Sequence, residues 1–237
     1  YDYRRYWHPS NTEIKISFQD AVEELDLKIQ KAVKLWSVSD VEVGSLLSGG
    51  VDSSLISTSA TKNLDIVNTF SLLFPGDKDI DESHHIKNFI DKNKKIKKNF
   101  INFDDSYFIN NLFKLSDHFD EPIMDPNNYA LNAICEKIKS VSDIKVVLCG
   151  EGADELFGGY SRHRQIVDEY QKFQDEDIIL MALNRVALPR LEILEANKDF
   201  SRENRNTIIK SLVSEDPINK VLEYDQLTFL NTRLHSQ

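Results

Sequence analysis

From Val41 to Tyr160 the chain alternates short apolar, partly β-branched runs with longer stretches in which apolar residues recur every three or four positions. Short continuous apolar runs read as buried parallel strands, and the helical period reads as covering helices. Strands are expected near Val41–Leu47, Ile66–Phe74, Lys95–Phe103 and Ile144–Leu148. Helices are expected near Ser54–Lys62, Glu82–Asn93, Tyr107–Phe119 and Tyr129–Lys139. Strict alternation predicts an α/β fold, a parallel sheet with helices on both faces. Ahead of it, Phe18–Leu35 carries Val22, Leu25, Leu27, Ile29 and Val33, enough for an amphipathic packing helix. From Arg162 onward the pattern is helical only, with Asp168–Phe173, Ile178–Leu188 and Asn204–Leu212 as candidates and Pro189 and Pro217 as punctuation. No internal repeat is present. The basic run Lys92–Lys98, interrupted by Ile96, reads as a solvated turn and strand edge.

Two glycine-rich turns follow strands in this pattern. The first is Leu46-Leu47-Ser48-Gly49-Gly50-Val51-Asp52-Ser53-Ser54. Asp52 to Ser54 fall at a helix N-terminus, where exposed N–H groups and the positive helix end favour phosphate charge. Adjacent glycines let the backbone approach phosphate oxygens, and Ser48, Ser53 and Ser54 add hydroxyl donors. Asp52 would be repelled by a polyphosphate unless a cation lies between them, which implies magnesium. An ordinary capped helix after a strand is the plainer alternative. The string lacks the Gly-x-x-x-x-Gly-Lys-Ser/Thr and Gly-x-Gly-x-x-Gly spacings, so two common phosphate-binding loops are excluded.

The second turn is Val146-Val147-Leu148-Cys149-Gly150-Glu151-Gly152-Ala153-Asp154-Glu155-Leu156-Phe157-Gly158-Gly159-Tyr160. Glu151, Asp154 and Glu155 crowd a helix start, which the helix dipole alone would reward. Glycines flanking Glu151 and the Gly158-Gly159 pair cost local stability that capping does not explain.

The first string resembles the PP-loop of the ATP pyrophosphatases. Together the two strings resemble the synthetase domain of the asparagine synthetases. Supporting segments are Asn68-Thr69-Phe70-Ser71-Leu72-Leu73-Phe74, Asp81-Glu82-Ser83 and Asp120-Glu121-Pro122-Ile123-Met124-Asp125. Arg5-Tyr6-Trp7 is similar to the segment that follows the family's glutaminase domain. The resemblance implies residues 1–16 as a lead-in from a glutaminase domain, 17–160 as an ATP-binding core and 161–237 as a helical part of the same domain. It also implies an active site that is incomplete as given. After Asp125 the family often has small hydroxyl residues where this chain has Pro126-Asn127-Asn128, which leaves the amide acceptor open. The nucleophilic cysteine of glutamine-hydrolysing relatives has no counterpart, since the chain begins with Tyr1 and its cysteines are Cys135 and Cys149.

Composition narrows the partners. A formal charge of −10 argues against a nucleic-acid footprint, and so against the tRNA-modifying PP-loop enzymes. Two distant cysteines suit a reducing compartment, and no long apolar run is present, so a cytoplasmic protein without a membrane segment is expected.

The chemistry implied by the resemblance is adenylation of a carboxylic acid, aspartate by default, followed by attack of glutamine-derived ammonia to give asparagine. In that scheme Ser48, Gly49, Gly50, Val51, Asp52, Ser53 and Ser54 hold pyrophosphate. Leu47, Leu72, Cys149 and Gly150 contact adenosine, though Leu47 and Leu72 also suit a strand core. Asp52 and Asp154 are the magnesium ligands, and Glu151 serves the amide-forming step, with helix capping as its alternative. Glu155 suits a salt bridge or a supporting role. Arg162, His163 and Arg164 could meet acidic groups, but a solvated helix face is the preferred reading. His84-His85 lacks the one-turn spacing of a helical metal site and reads as surface. A related ligase with another acceptor, including the β-lactam-forming kind, and a nucleotide-binding domain without turnover remain open. A homodimer is possible by family habit.

Overall fold

A computed structural model describes residues 14–75, 77, 81–119, 126–169 and 207–228. The chain divides into two compact units, Ile16–Gly150 and, with the first fifteen residues, Glu151–Gln237.

In the first unit, β1 (Val43–Leu46), β2 (Val67–Leu73), β3 (Ile96–Asn102) and β4 (Val146–Leu148) form one parallel sheet in the order β3-β2-β1-β4. The connections are α2 (Val51–Ala60), α3 (Ser83–Asp91) and the pair α4 (Asp105–Phe119) and α5 (Pro126–Val141), with α1 (Phe18–Trp36) leading in. All four expected strands form, each shorter than expected by two or three residues.

Strand alternation sorts the core into two layers. Val43, Val67 and Leu148 pack with Val33 of α1 and Ala60 of α2. Further along that face Leu47 and Ile96 meet Ile86 and Ile90 of α3. On the opposite face Phe70 packs with Ile138 of α5, Leu46 and Val147. Helices therefore cover both faces. A buried hydroxyl pair, Ser45 Oγ and Ser57 Oγ at 2.9 Å, pins α2 onto β1.

β3 is an edge strand, and Lys97 and Lys98 on it are exposed. Charged lysines at an open edge discourage further strand pairing. Lys95 Nζ donates to the Thr61 carbonyl at 2.8 Å, satisfying a helix-end carbonyl of α2. The basic run thus does the structural work its sequence suggested.

The described part of the second unit holds α6 (Ala153–Phe157), α7 (Ser161–Glu169), a helical segment at 207–211 and α8 (Pro217–Leu227). Asp216 caps α8 by accepting from the Asn219 N–H at 2.9 Å, with Pro217 in the first turn, where its missing N–H costs nothing. Val221 and Tyr224 form its core with Ile208, Ile209 and Leu212.

Two expectations need correction. α2 starts at Val51 rather than Ser54, because Gly50 takes the extended cap conformation and the helix winds at once. Arg162 and His163 do not form a solvated face. They are 9% and 2% exposed and share Asp225 Oδ2 of α8, at 2.5 Å from Arg162 Nη2 and 2.8 Å from His163 Nε2. The acidic partner lies far along the chain, where no local pattern announces it; Arg164 is exposed as expected. Arg5–Trp7, Asp120–Asp125, Ile178–Leu188 and the end of Asp168–Phe173 lie outside the described residues.

Candidate functional site

The strand order places a switch point between β1 and β4. The chain leaves β1 toward β2 on one side, then returns from β3 to β4 on the other. Ligands of open α/β sheets bind at such points, beyond the carboxyl ends of the strands. Both glycine-rich turns begin there.

The first turn is locked from within. Ser53 Oγ accepts from the Ser48 N–H at 3.2 Å and donates to the Gly50 carbonyl at 3.3 Å, and Ser48 Oγ lies 3.0 Å from it. The α2 ladder opens with Ser54 N–H to the Gly50 carbonyl at 3.1 Å, so the Val51, Asp52 and Ser53 amides precede it. Helix-start amides lack an intrahelical partner and can take an anion. Ser53 is buried and serves mainly to hold the turn, whereas Ser48 and the Val51 and Asp52 side chains are exposed.

Gly49 has φ +93°. A β-carbon there would fall 3.0 Å from Ile86 Cγ1 and 3.3 Å from His85 Cβ, so the turn is pressed against the start of α3. At Gly150 a β-carbon would fall 2.9 Å from the Ser53 nitrogen. Only glycine lets the end of β4 reach the first turn of α2. Bare backbone on both sides is the shape a polyphosphate needs, and the exposed Asp52 carboxylate offers the hard oxygen donor that magnesium prefers.

Of the other predicted contacts, Leu47 is 1% exposed within the α3 layer. Leu72 is half-buried, Cys149 is exposed and Gly150 is partly buried. The first turn, Leu72, Cys149 and Gly150 all belong to the Ile16–Gly150 unit, whereas Glu151 and Asp154 belong to the other.

In that second unit Gly152 begins α6 at φ +92° and Gly158 ends it at φ +74°. A β-carbon on Gly159 would collide with Asp154 Oδ1 and fall 2.9 Å from its Cγ. The glycine pair that broke helical pattern thus makes room for the Asp154 carboxylate. Glu155 is 1% exposed and accepts from the Tyr160 hydroxyl at 2.6 Å. That bond and burial push the Tyr160 hydroxyl well above its ordinary range, with burial the larger cause. The Arg162 guanidinium lies 4.1 Å over the Tyr160 ring, and Gln226 Nε2 donates to the Glu155 carbonyl at 3.2 Å. Sequence reasoning singled out Glu155 and Arg162 but not their partners Tyr160 and Gln226, which come from the turn before α7 and from α8.

Glu151 retains solvent access, yet its carboxyl holds its proton more tightly than an ordinary glutamate. Partial burial is the main cause, followed by the negative charges of Glu155 and Asp154. A carboxylate with raised proton affinity is a stronger base than an ordinary glutamate. Among the described residues no group of three or more His, Cys, Asp and Glu could hold a metal, and no helix is long and apolar enough to cross a membrane.

The family profile for asparagine synthase matches residues 24–237. Asparagine synthetase [glutamine-hydrolyzing] 1 of Bacillus subtilis is 31% identical over 167 residues, covering 69% of this chain and 25% of that protein. A putative asparagine synthetase [glutamine-hydrolyzing] 2 of Methanocaldococcus jannaschii is 32% identical over 160 residues, covering 67% and 30%. A probable asparagine synthetase [glutamine-hydrolyzing] of Acanthamoeba polyphaga mimivirus is 30% identical over 178 residues, covering 74% and 31%. The chain therefore spans less than a third of the length of these relatives.

Proposed function

The chain belongs to the asparagine synthase family, and from that premise we propose that it supplies the ATP-using part of an amide ligase. A carboxylate oxygen of the acceptor, aspartate in the first instance, attacks the α-phosphorus of ATP and pyrophosphate leaves. Ammonia derived from glutamine then attacks the acyl-adenylate carbonyl, loses a proton and expels AMP, leaving asparagine. The observation that carries this reading is the contact of Gly150 with the Ser53 amide at the switch point of the sheet.

In this proposal the turn from Ser48 to Ser54 binds the departing pyrophosphate through backbone N–H groups and the Ser48 and Ser54 hydroxyls. Preorganised donors of this kind stabilise charge that develops as a bond breaks. Leu72, Cys149 and Gly150 line the adenosine end, with Leu47 supporting them from the strand core. Asp52 and Asp154 each offer a carboxylate to magnesium, which when bound neutralises phosphate charge. Glu151 takes the proton from the attacking ammonia. A glutaminase domain in the full-length protein, a cytoplasmic setting and a homodimer complete the proposal.

The test is product analysis on the full-length protein with magnesium-ATP, ammonia and a panel of carboxylic acids, beside Glu151→Ala. The expected result is aspartate-dependent AMP, pyrophosphate and asparagine, with asparagine lost in the variant. Turnover with a different acid and none with aspartate would reassign the acceptor. Absence of pyrophosphate release with every acid would refute the ligase reading.

A further inference from the structure

We propose that His85 is a binding residue of the polyphosphate subsite, donating an imidazole N–H to the pyrophosphate end of the nucleotide. The proposal rests on the ATP reading above and adds a residue that neither glycine motif contains.

The position is fixed by packing on both sides. Leu47, immediately before the turn, and Ile86, immediately after His85, belong to one buried cluster, 1% and 0% exposed. The start of α3 therefore cannot swing away from the turn without opening the core. Gly49 meets that start at backbone level, with a would-be β-carbon 3.3 Å from His85 Cβ and 3.4 Å from the Ile86 nitrogen. The His85 side chain thus departs directly beside the first glycine of the turn.

His85 is also chemically available. Its ring is exposed and stands edge-on to His84, centroids 5.6 Å apart. His84 is engaged with the Asn88 amide at 3.2 and 3.3 Å, whereas the His85 nitrogens have no hydrogen-bond partner among the described residues. The turn itself needs such a group. Leu47 to Ser54 contains no lysine or arginine, and its single charge, Asp52, is negative. An imidazole, neutral or protonated, always carries at least one N–H donor, and bonds to charged phosphate oxygens are the strong ones. An exposed histidine elsewhere on α3 would be ordinary surface. This one leaves α3 beside Gly49, in the turn whose next residues open α2.

The experiment is calorimetric titration of the full-length protein with magnesium-pyrophosphate and, separately, with AMP. It compares wild type, His85→Phe, which keeps the ring and loses the donor, and His85→Gln, which keeps a donor. His85→Phe should weaken pyrophosphate binding about tenfold, the scale of one charge-assisted hydrogen bond. AMP affinity and melting temperature should stay unchanged, and His85→Gln should recover most of the loss. Wild-type pyrophosphate affinity in His85→Phe overturns the assignment, as does an equal loss for AMP, which would mark a general disturbance of the turn. A wild-type protein that binds neither ligand overturns the ATP reading itself, a pattern distinct from either.

Discussion

A β-carbon on Gly150 would lie 2.9 Å from the backbone nitrogen of Ser53, so the two glycine-rich turns of this chain touch through bare backbone. The contact brings the end of β4 against the first turn of α2, within the unit that carries the sheet. Gly150→Ala should push these segments apart. An overpacked contact costs about 1–3 kcal/mol, which urea denaturation would register. ATP affinity should fall by more than that stability loss accounts for, because the displaced groups are the α2 amides proposed to hold pyrophosphate. Titration of ATP at full folding would decide it, and unchanged affinity would mean that the approach is packing alone.

Gly159 serves Asp154 in the same way. Its bare Cα lies under the Asp154 carboxylate, which a β-carbon would strike. Gly159→Ala should therefore copy Asp154→Ala in its demand for higher magnesium concentrations, while circular dichroism stays native. A magnesium titration of pyrophosphate release checks this. Wild-type magnesium dependence in Gly159→Ala would detach Asp154 from the metal.

The alternation that predicted the sheet was legible because β1, β2 and β4 carry apolar residues on both faces: Val43, Val67 and Leu148 pack toward α1 and α2, Leu46, Phe70 and Val147 toward α5. The glycine turns were legible because their residues are consecutive. The neighbours that give them meaning were not. Gly49 against His85, Ser53 against Gly150, and Arg162 with His163 on Asp225 are tertiary pairings, set by how helices dock rather than by local periodicity. The start of α2 moved for a related reason, since Gly50 can cap a helix without a side-chain hydroxyl to announce it. Pro126-Asn127-Asn128, which departs from the family pattern, forms the start of α5, a position that tolerates proline.

Glu151 should give the reaction its acid limb. Its proton affinity is raised by burial first, then by Glu155 and Asp154. A base must be deprotonated, so kcat should fall as pH drops through that raised pKa, at higher pH than an ordinary glutamate would allow. Glu155→Gln removes a nearby negative charge, which lowers the Glu151 pKa and moves the acid limb to lower pH. The same shift acts on folding with a defined sign. A carboxyl whose folded pKa is raised contributes stability below its unfolded pKa and loses it as pH rises through the folded one. A pH–rate profile with an unmoved limb in Glu155→Gln would remove Glu155 as the neighbour that tunes Glu151.

Cys149 offers a direct readout of which end of the nucleotide lies over β4. Both cysteines are unbridged and exposed, and burial raises the Cys135 thiol pKa, which slows its alkylation but leaves it as an internal control. If adenosine covers Cys149, magnesium-ATP should slow its alkylation about tenfold when present at about ten times its Kd, since protection follows occupancy. Alkylation of Cys135 should not change. AMP should protect as ATP does at equal occupancy, whereas magnesium-pyrophosphate should not, because its proposed site is the turn after β1. Peptide mass spectrometry over a time course separates these cases. Protection by pyrophosphate alone would place phosphate over Cys149 and reverse the assignment of the two strand ends. Equal reactivity under all ligands would take Cys149 out of the nucleotide site while leaving the turn from Ser48 to Ser54 to be judged by its own binding.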